Sequence, residues 1–192
     1  MKSPTATFLS VTQTIDGYTV LAFLPFLVVA PTLGLVLSRR FSRAWSLVTL
    51  TIAAIGAIIA VTIGGRMLKL TSWGRGDLVL SWLFDRASWA HVLEVDRTWV
   101  LNAVLFMPAG CLLTLTTRRP WITLASLSIF SLVIEVVQRA TRLGVADVSD
   151  LMANIVGAAA GMAIAVAMLR NAPTTATQAD NDARDDTSDA SA

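Results

Sequence analysis

Five stretches of this chain are apolar over about eighteen residues or more, and no other property of the sequence limits the fold as strongly. They lie at 18–37, 44–63, 98–117, 121–138 and 151–169. At about 1.5 Å per helical residue, each is long enough to cross a hydrocarbon core about 30 Å thick. Inside hydrocarbon every backbone N–H and C=O needs a partner within the protein, and a helix is the structure that meets this demand within one segment. The expected fold class is therefore all-α: a polytopic transmembrane helix bundle of about five spans. Composition points the same way, because charged residues make up 15% of the chain, against about 25% in soluble domains.

Between and around the spans, the sequence divides into a polar N-terminal segment at 1–17, two transmembrane helices within 18–63, a connection at 64–97, three transmembrane helices within 98–170 and an acidic tail at 171–192. The opening residues contain no apolar run before Tyr18, so they do not resemble a cleavable signal peptide, and the first span is expected to remain as an anchor. The tail carries Asp180, Asp182, Asp185, Asp186 and Asp189 with no large apolar residue, and is expected to be disordered. Cys111 and His91 each stand alone, which removes disulfide and thiolate-metal chemistry from consideration. No cofactor follows from the sequence, and nothing in it points to a nucleic acid.

Trp45, Trp99 and Trp121 each stand at the start of a predicted span, where indole rings favour the boundary between headgroups and hydrocarbon. The basic turns Ser38-Arg39-Arg40-Phe41-Ser42-Arg43 and Arg118-Arg119-Pro120 fall on one side of the membrane when five spans alternate. The excess of arginine in short loops makes that side cytoplasmic, which puts the N-terminus outside and the acidic tail inside.

The connection at 64–97 has a polar residue every three or four positions (Asp77, Ser81, Asp85, Ser88, His91) among Leu78, Trp82, Leu83, Trp89, Val92 and Leu93. That spacing predicts an amphipathic interfacial helix, either lying on the membrane surface or packed over the bundle.

Polar residues inside spans are expensive in hydrocarbon and usually face the bundle interior or a wet cavity. On the fourth span Ser128, Ser131, Glu135, Gln138 and Arg142 align on one helical face, and on the fifth Asp147, Asp150, Asn154, Gly157 and Gly161 do the same. Because successive spans run in opposite directions, the start of the third, the end of the fourth and the start of the fifth share one membrane side. Asn102, Glu135, Gln138, Arg139, Arg142, Asp147, Asp150 and Asn154 are therefore expected to meet there as ligand-binding candidates. Glu135 can pair with Arg139 one turn later, and the guanidinium groups suit a phosphate or carboxylate. Gly157 and Gly161 form a GxxxG spacing that lets a neighbouring backbone approach. Pro108 removes one backbone hydrogen bond of the third span, which either opens a small pocket beside Asn102 or only bends the helix.

The stretches N-A-V-L-F-M-P-A-G at 102–110, S-L-V-I-E-V-V-Q at 131–138 and D-V-S-D-L-M-A-N-I-V-G-A-A-A-G at 147–161 resemble the VanZ-like family of bacterial membrane proteins. The resemblance runs from the third span to the fifth. It carries the family's polar positions onto Asn102, Glu135, Gln138, Asp147, Asp150 and Asn154, and its structural markers onto Pro108, Gly110, Gly157 and Gly161. Where members commonly have arginine three residues before the first aspartate, this chain has Gly144, with Arg142 as the candidate substitute. The family is named for a protein linked to teicoplanin resistance. The resemblance thus implies a protein of the bacterial cell membrane, with an effect on glycopeptide susceptibility as an expectation.

These readings lead to an expected role in binding or shielding a lipid-linked component of the cell envelope, with membrane lipids or such a precursor as partner. Two alternatives stay open. One is a membrane enzyme acting on a lipid-linked substrate, with Glu135 and Asp147 or Asp150 as acid and base. The other is a small proton-coupled transporter.

Overall fold

The computed structural model describes residues 17–41, 44–64, 80–84, 95–141 and 147–171, together with Met67, Arg86, Trp89 and Val92. The expected N-terminal polar segment, the acidic tail, Arg142, Gly144, His91 and most of the predicted amphipathic connection lie outside these residues. Among the described residues all regular structure is helical.

Five helices are long and apolar enough to cross a membrane: α1 (Gly17–Phe41), α2 (Trp45–Ile59) taken with the helical turn that continues it to Gly64, α3 (Arg97–Thr117), α4 (Pro120–Thr141) and α5 (Val148–Asn171). Helix α2 runs on without a break into one π-helical turn, Ala60–Gly64. Helices α1, α3, α4 and α5 each contain one apolar run and extend it by up to a turn, while the run at 44–63 is covered by α2 together with its π-helical turn.

The helix ends follow local chemistry. Helix α3 begins where the Asp96 carboxylate accepts the Trp99 N–H at 2.8 Å, satisfying one of the donors left free in a first turn. It ends at Arg118, whose left-handed backbone (φ 56°) lets its N–H return to the Thr114 carbonyl at 2.8 Å. Arg119 and then Pro120 follow. A proline at the first helical position loses no intrahelical bond, so the same short turn that stops α3 starts α4. Helix α5 begins at Asp147, whose carboxylate accepts the Ser149 N–H at 2.8 Å.

The closest packing in the bundle joins α3 to α5, which run parallel through the membrane. A Cβ on Gly157 would meet the backbone of Ala103, one on Gly161 the backbone of Met107 and Cys111, and one on Gly110 the backbone of Ala158. Glycine at these three positions lets two helix backbones touch, which replaces the hydrophobic driving force that lipid cannot supply. Around this seam Ile58, Phe106, Ala109, Leu127, Ile134 and Ala158 form one buried cluster that draws on α2, α3, α4 and α5. Hydroxyl pairs add interhelical contacts, Thr51 with Thr116 at 2.9 Å and Thr117 with Thr123 at 3.1 Å. Helix α1 packs mainly on α2 and turns Val20, Val28 and Val36 outward, the faces that hydrocarbon would cover.

A short 3-10 turn, Leu80–Leu83, is described within the connection between α2 and α3. Its Trp82 is buried with Val92 against Val148 and Leu151 at the start of α5. Trp82 and Val92 thus pack over the bundle, while Phe84, Trp89 and Val95 of the same connection are exposed.

Candidate functional site

Hydrogen bonds at one end of the bundle tie together four elements that are distant in sequence. Asn102, in the second turn of α3, donates through Nδ2 to Asp150 Oδ1 of α5 at 2.7 Å. Glu135, near the end of α4, accepts the Asp147 N–H through Oε2 at 3.3 Å. Asn154 donates through Nδ2 to Ser131 Oγ at 2.9 Å, joining α5 to α4. Gln138 donates through Nε2 to the Thr62 carbonyl at 3.0 Å, joining α4 to the π-turn that ends α2. The start of α3, the end of α4 and the start of α5 thus share a face, as alternation of the spans requires, and the end of α2 belongs to it too.

These bonds sort the expected ligand-binding residues into two layers. The deeper layer is Ser131, Glu135, Gln138 and Asn154, all between 0 and 5% exposed. Glu135, at 2% exposed, performs a specific local task. In a helix that begins with an aspartate cap, the acid three residues on often reaches back to the cap's own N–H. Here Glu135 of the neighbouring helix accepts that N–H, while Asp150 reaches across to Asn102. One carboxylate from α4 therefore sets where α5 starts, and a second from α5 sets how α3 lies against it.

The outer layer is Asn102, Arg139 and Asp150, each half-buried, and Asp147, which is exposed. Its carboxylates accept hydrogen bonds, so a group entering from the membrane boundary meets acceptors at Asp147 and Asp150 and the guanidinium of Arg139. Arg142, expected beside Arg139, lies outside the described residues. Among the described residues no group of three His, Cys, Asp or Glu side chains is arranged to hold a metal ion.

Buried polar atoms without partners are rare in folded proteins, and each calls for an explanation. Six are found among the described residues. Four belong to the elements at this end of the bundle: Arg139 Nε, Trp99 Nε1, Trp82 Nε1 and Asn154 Oδ1. Trp99 lies one turn before Asn102, Arg139 one turn after Glu135, and Trp82 over the first turn of α5. Three unpartnered donors and one unpartnered acceptor are thus held around side chains that are otherwise bonded.

Sequence reasoning did not single out the Thr62 carbonyl or the indoles of Trp82 and Trp99 as parts of this face. A backbone carbonyl released by a π-turn leaves no mark in residue type. A tryptophan at the start of a span signals the membrane boundary whether or not its N–H has a partner. Ser131 was legible as part of the aligned face of α4, but not as the partner of Asn154. Pro108 is exposed, on a side of α3 away from the α5 seam, and lines no part of the cluster.

A bundle of five apolar helices long enough to span a membrane, with a hydrogen-bonded polar cluster at one end, defines a multi-pass membrane protein. The chain belongs to the VanZ/LLP1 family, whose model matches residues 66–170. The match takes in α3, α4, α5 and the connection before them, and so contains Asn102, Glu135, Gln138, Arg139, Asp147, Asp150 and Asn154; helices α1 and α2 lie outside it. Comparison with curated proteins and with solved structures gives no match.

Proposed function

We propose that the protein is a cell-membrane protein that binds, and thereby shields, a lipid-linked component of the bacterial envelope at the boundary formed by Asn102, Arg139, Asp147 and Asp150. The observation that supports this most is the set of buried, unpartnered polar atoms around that boundary, Arg139 Nε and Trp99 Nε1 above all. A guanidinium N–H and an indole N–H suit a phosphate oxygen, while the carboxylates of Asp147 and Asp150 suit hydroxyl, amide or ammonium donors. A lipid whose headgroup carries both phosphate and sugar or peptide offers both kinds of group, and its tail stays in the hydrocarbon that surrounds the helices.

In this account the deeper layer is the support. Glu135 and Gln138 hold the ends of α4, α5 and α2 in register, so the outer residues keep their spacing without being held by the ligand. The cluster faces outward, with the C-terminus in the cytoplasm, because both arginine turns lie at the other end of the bundle. An effect on teicoplanin susceptibility then follows from sequestering the envelope component such compounds approach. Lipids copurifying with the wild-type protein and with Glu135→Gln test the assignment. The expected result is a lipid-linked headgroup species present in the first and depleted in the second. An identical lipid complement in both refutes it, and chemical conversion of the bound species would make the protein an enzyme instead.

A further inference from the structure

The opposite end of the bundle carries a second feature, which the polar cluster does not use. Between the start of α4 and the end of α5 lies a groove of about 510 Å³, lined by Trp121, Met162, Ala163, Val166, Ala167 and Arg170. That volume falls within the roughly 300–1,000 Å³ typical of small-molecule sites. Its walls are apolar along their length and cationic at one end, where Arg170 occupies the last turn of α5. Pro120, also in the lining, is immediately preceded by Arg118 and Arg119, both exposed.

Charge is distributed between the two ends in a way that selects the occupant. The described acidic residues Asp96, Glu135, Asp147 and Asp150 all lie at the polar-cluster end. At the groove's end the described charged side chains are Arg39, Arg118, Arg119 and Arg170. An apolar slot with the Arg170 guanidinium at one end, on the side where the other described charges are also arginines, complements a molecule with acyl chains below and a negative phosphate above. Trp121, 74% exposed at the rim, sits where indole favours the headgroup level.

We infer that this groove is a binding site for an anionic glycerophospholipid, with an acyl chain along Met162, Val166 and Ala167 and the phosphate on Arg170. The acidic tail, which continues the chain directly after Asn171, is the rival occupant. Its aspartates match the arginines, but it has no large apolar residue to fill the slot.

The test is a titration of the detergent-purified full chain with phosphatidylglycerol and with phosphatidylcholine of the same acyl chains, counting bound lipid by native mass spectrometry. Phosphatidylglycerol is expected to bind at least about fivefold more tightly, the preference that one cation near an anionic headgroup supplies. Arg170→Gln should remove roughly fivefold of that preference. Ala167→Phe fills the slot without altering charge and should weaken phosphatidylglycerol binding as well. Both positions are exposed, so circular dichroism melts of the two variants should match wild type.

Equal binding of the two lipids overturns the inference. So does loss of preference in Arg170→Gln with full binding in Ala167→Phe, which would describe a diffuse cationic surface and no groove. If wild type shows no preference and deletion of 173–192 creates one, the tail is the occupant and the inference fails.

Discussion

Replacing Gly157 by alanine perturbs the α3–α5 seam where the two backbones touch and tests how the bundle is held. The added Cβ would press first on the Ala103 carbonyl oxygen and would lie 2.7 Å from both the Cα and the carbonyl carbon of that residue, where ordinary contact begins at 3.4 Å. The obstruction is backbone, which cannot rotate away as a side chain can, so the helices must separate by more than roughly half an ångström. Overpacking of this kind costs about 3 kcal/mol at the upper end of the usual range. Alanine recovers up to about 1 kcal/mol through its better helix propensity. The net expectation is a loss of about 2 kcal/mol, read from reversible unfolding of the detergent-solubilised protein in a denaturing-detergent titration. Because Ala103 is the neighbour of Asn102, the same separation should lengthen the 2.7 Å bond to Asp150 and weaken lipid copurification in parallel. Val156→Leu, on the exposed face of the same helix, should stay within about 0.5 kcal/mol of wild type. A Gly157→Ala protein as stable as wild type would refute the reasoning, since propensity alone would then decide the outcome.

Cysteines at 131 and 154 in a Cys111→Ala background should form a disulfide or accept a short crosslinker, because these side chains are bonded across α4 and α5; failure to crosslink would dismantle the deeper layer of the cluster. Tags at the N-terminus and at the end of the 171–192 tail should be accessible from opposite sides of the membrane, the C-terminal tag from the cytoplasm, and accessibility from the same side would contradict a five-span bundle.

The spans were legible because hydrocarbon imposes a length and composition that few other structures need, and each helix falls on an apolar run of the sequence. The convergence of Asn102, Glu135, Asp150 and Asn154 was legible for a related reason. Polar residues spaced three and four apart on α4 and α5 occupy one face, and alternation of the spans fixes which ends meet. The roles within the cluster were not. Glu135 reads as a binding carboxylate or an ion-pair partner in sequence, and its bond to the Asp147 backbone N–H is one that no residue pattern reveals. Gln138 likewise reads as a ligand contact, yet its amide closes the π-turn at Thr62, a helix irregularity with no sequence signature. The motif at 157–161 showed that some backbone comes close, but only packing identifies it as α3.

The most direct test of ligand binding at the outer layer is photocrosslinking from position 98. Thr98 should be replaced by a benzophenone-bearing amino acid in living bacterial cells, with the same replacement at Trp121 as the comparison. Thr98 is exposed one turn before Asn102 and leaves the Trp99 indole in place, and Trp121 lies at the other end of the bundle. Mass spectrometry of the adduct from position 98 is expected to show a lipid-linked envelope precursor, phosphate and headgroup included, that is missing from position 121. Ordinary membrane phospholipids alone at both positions would contradict it.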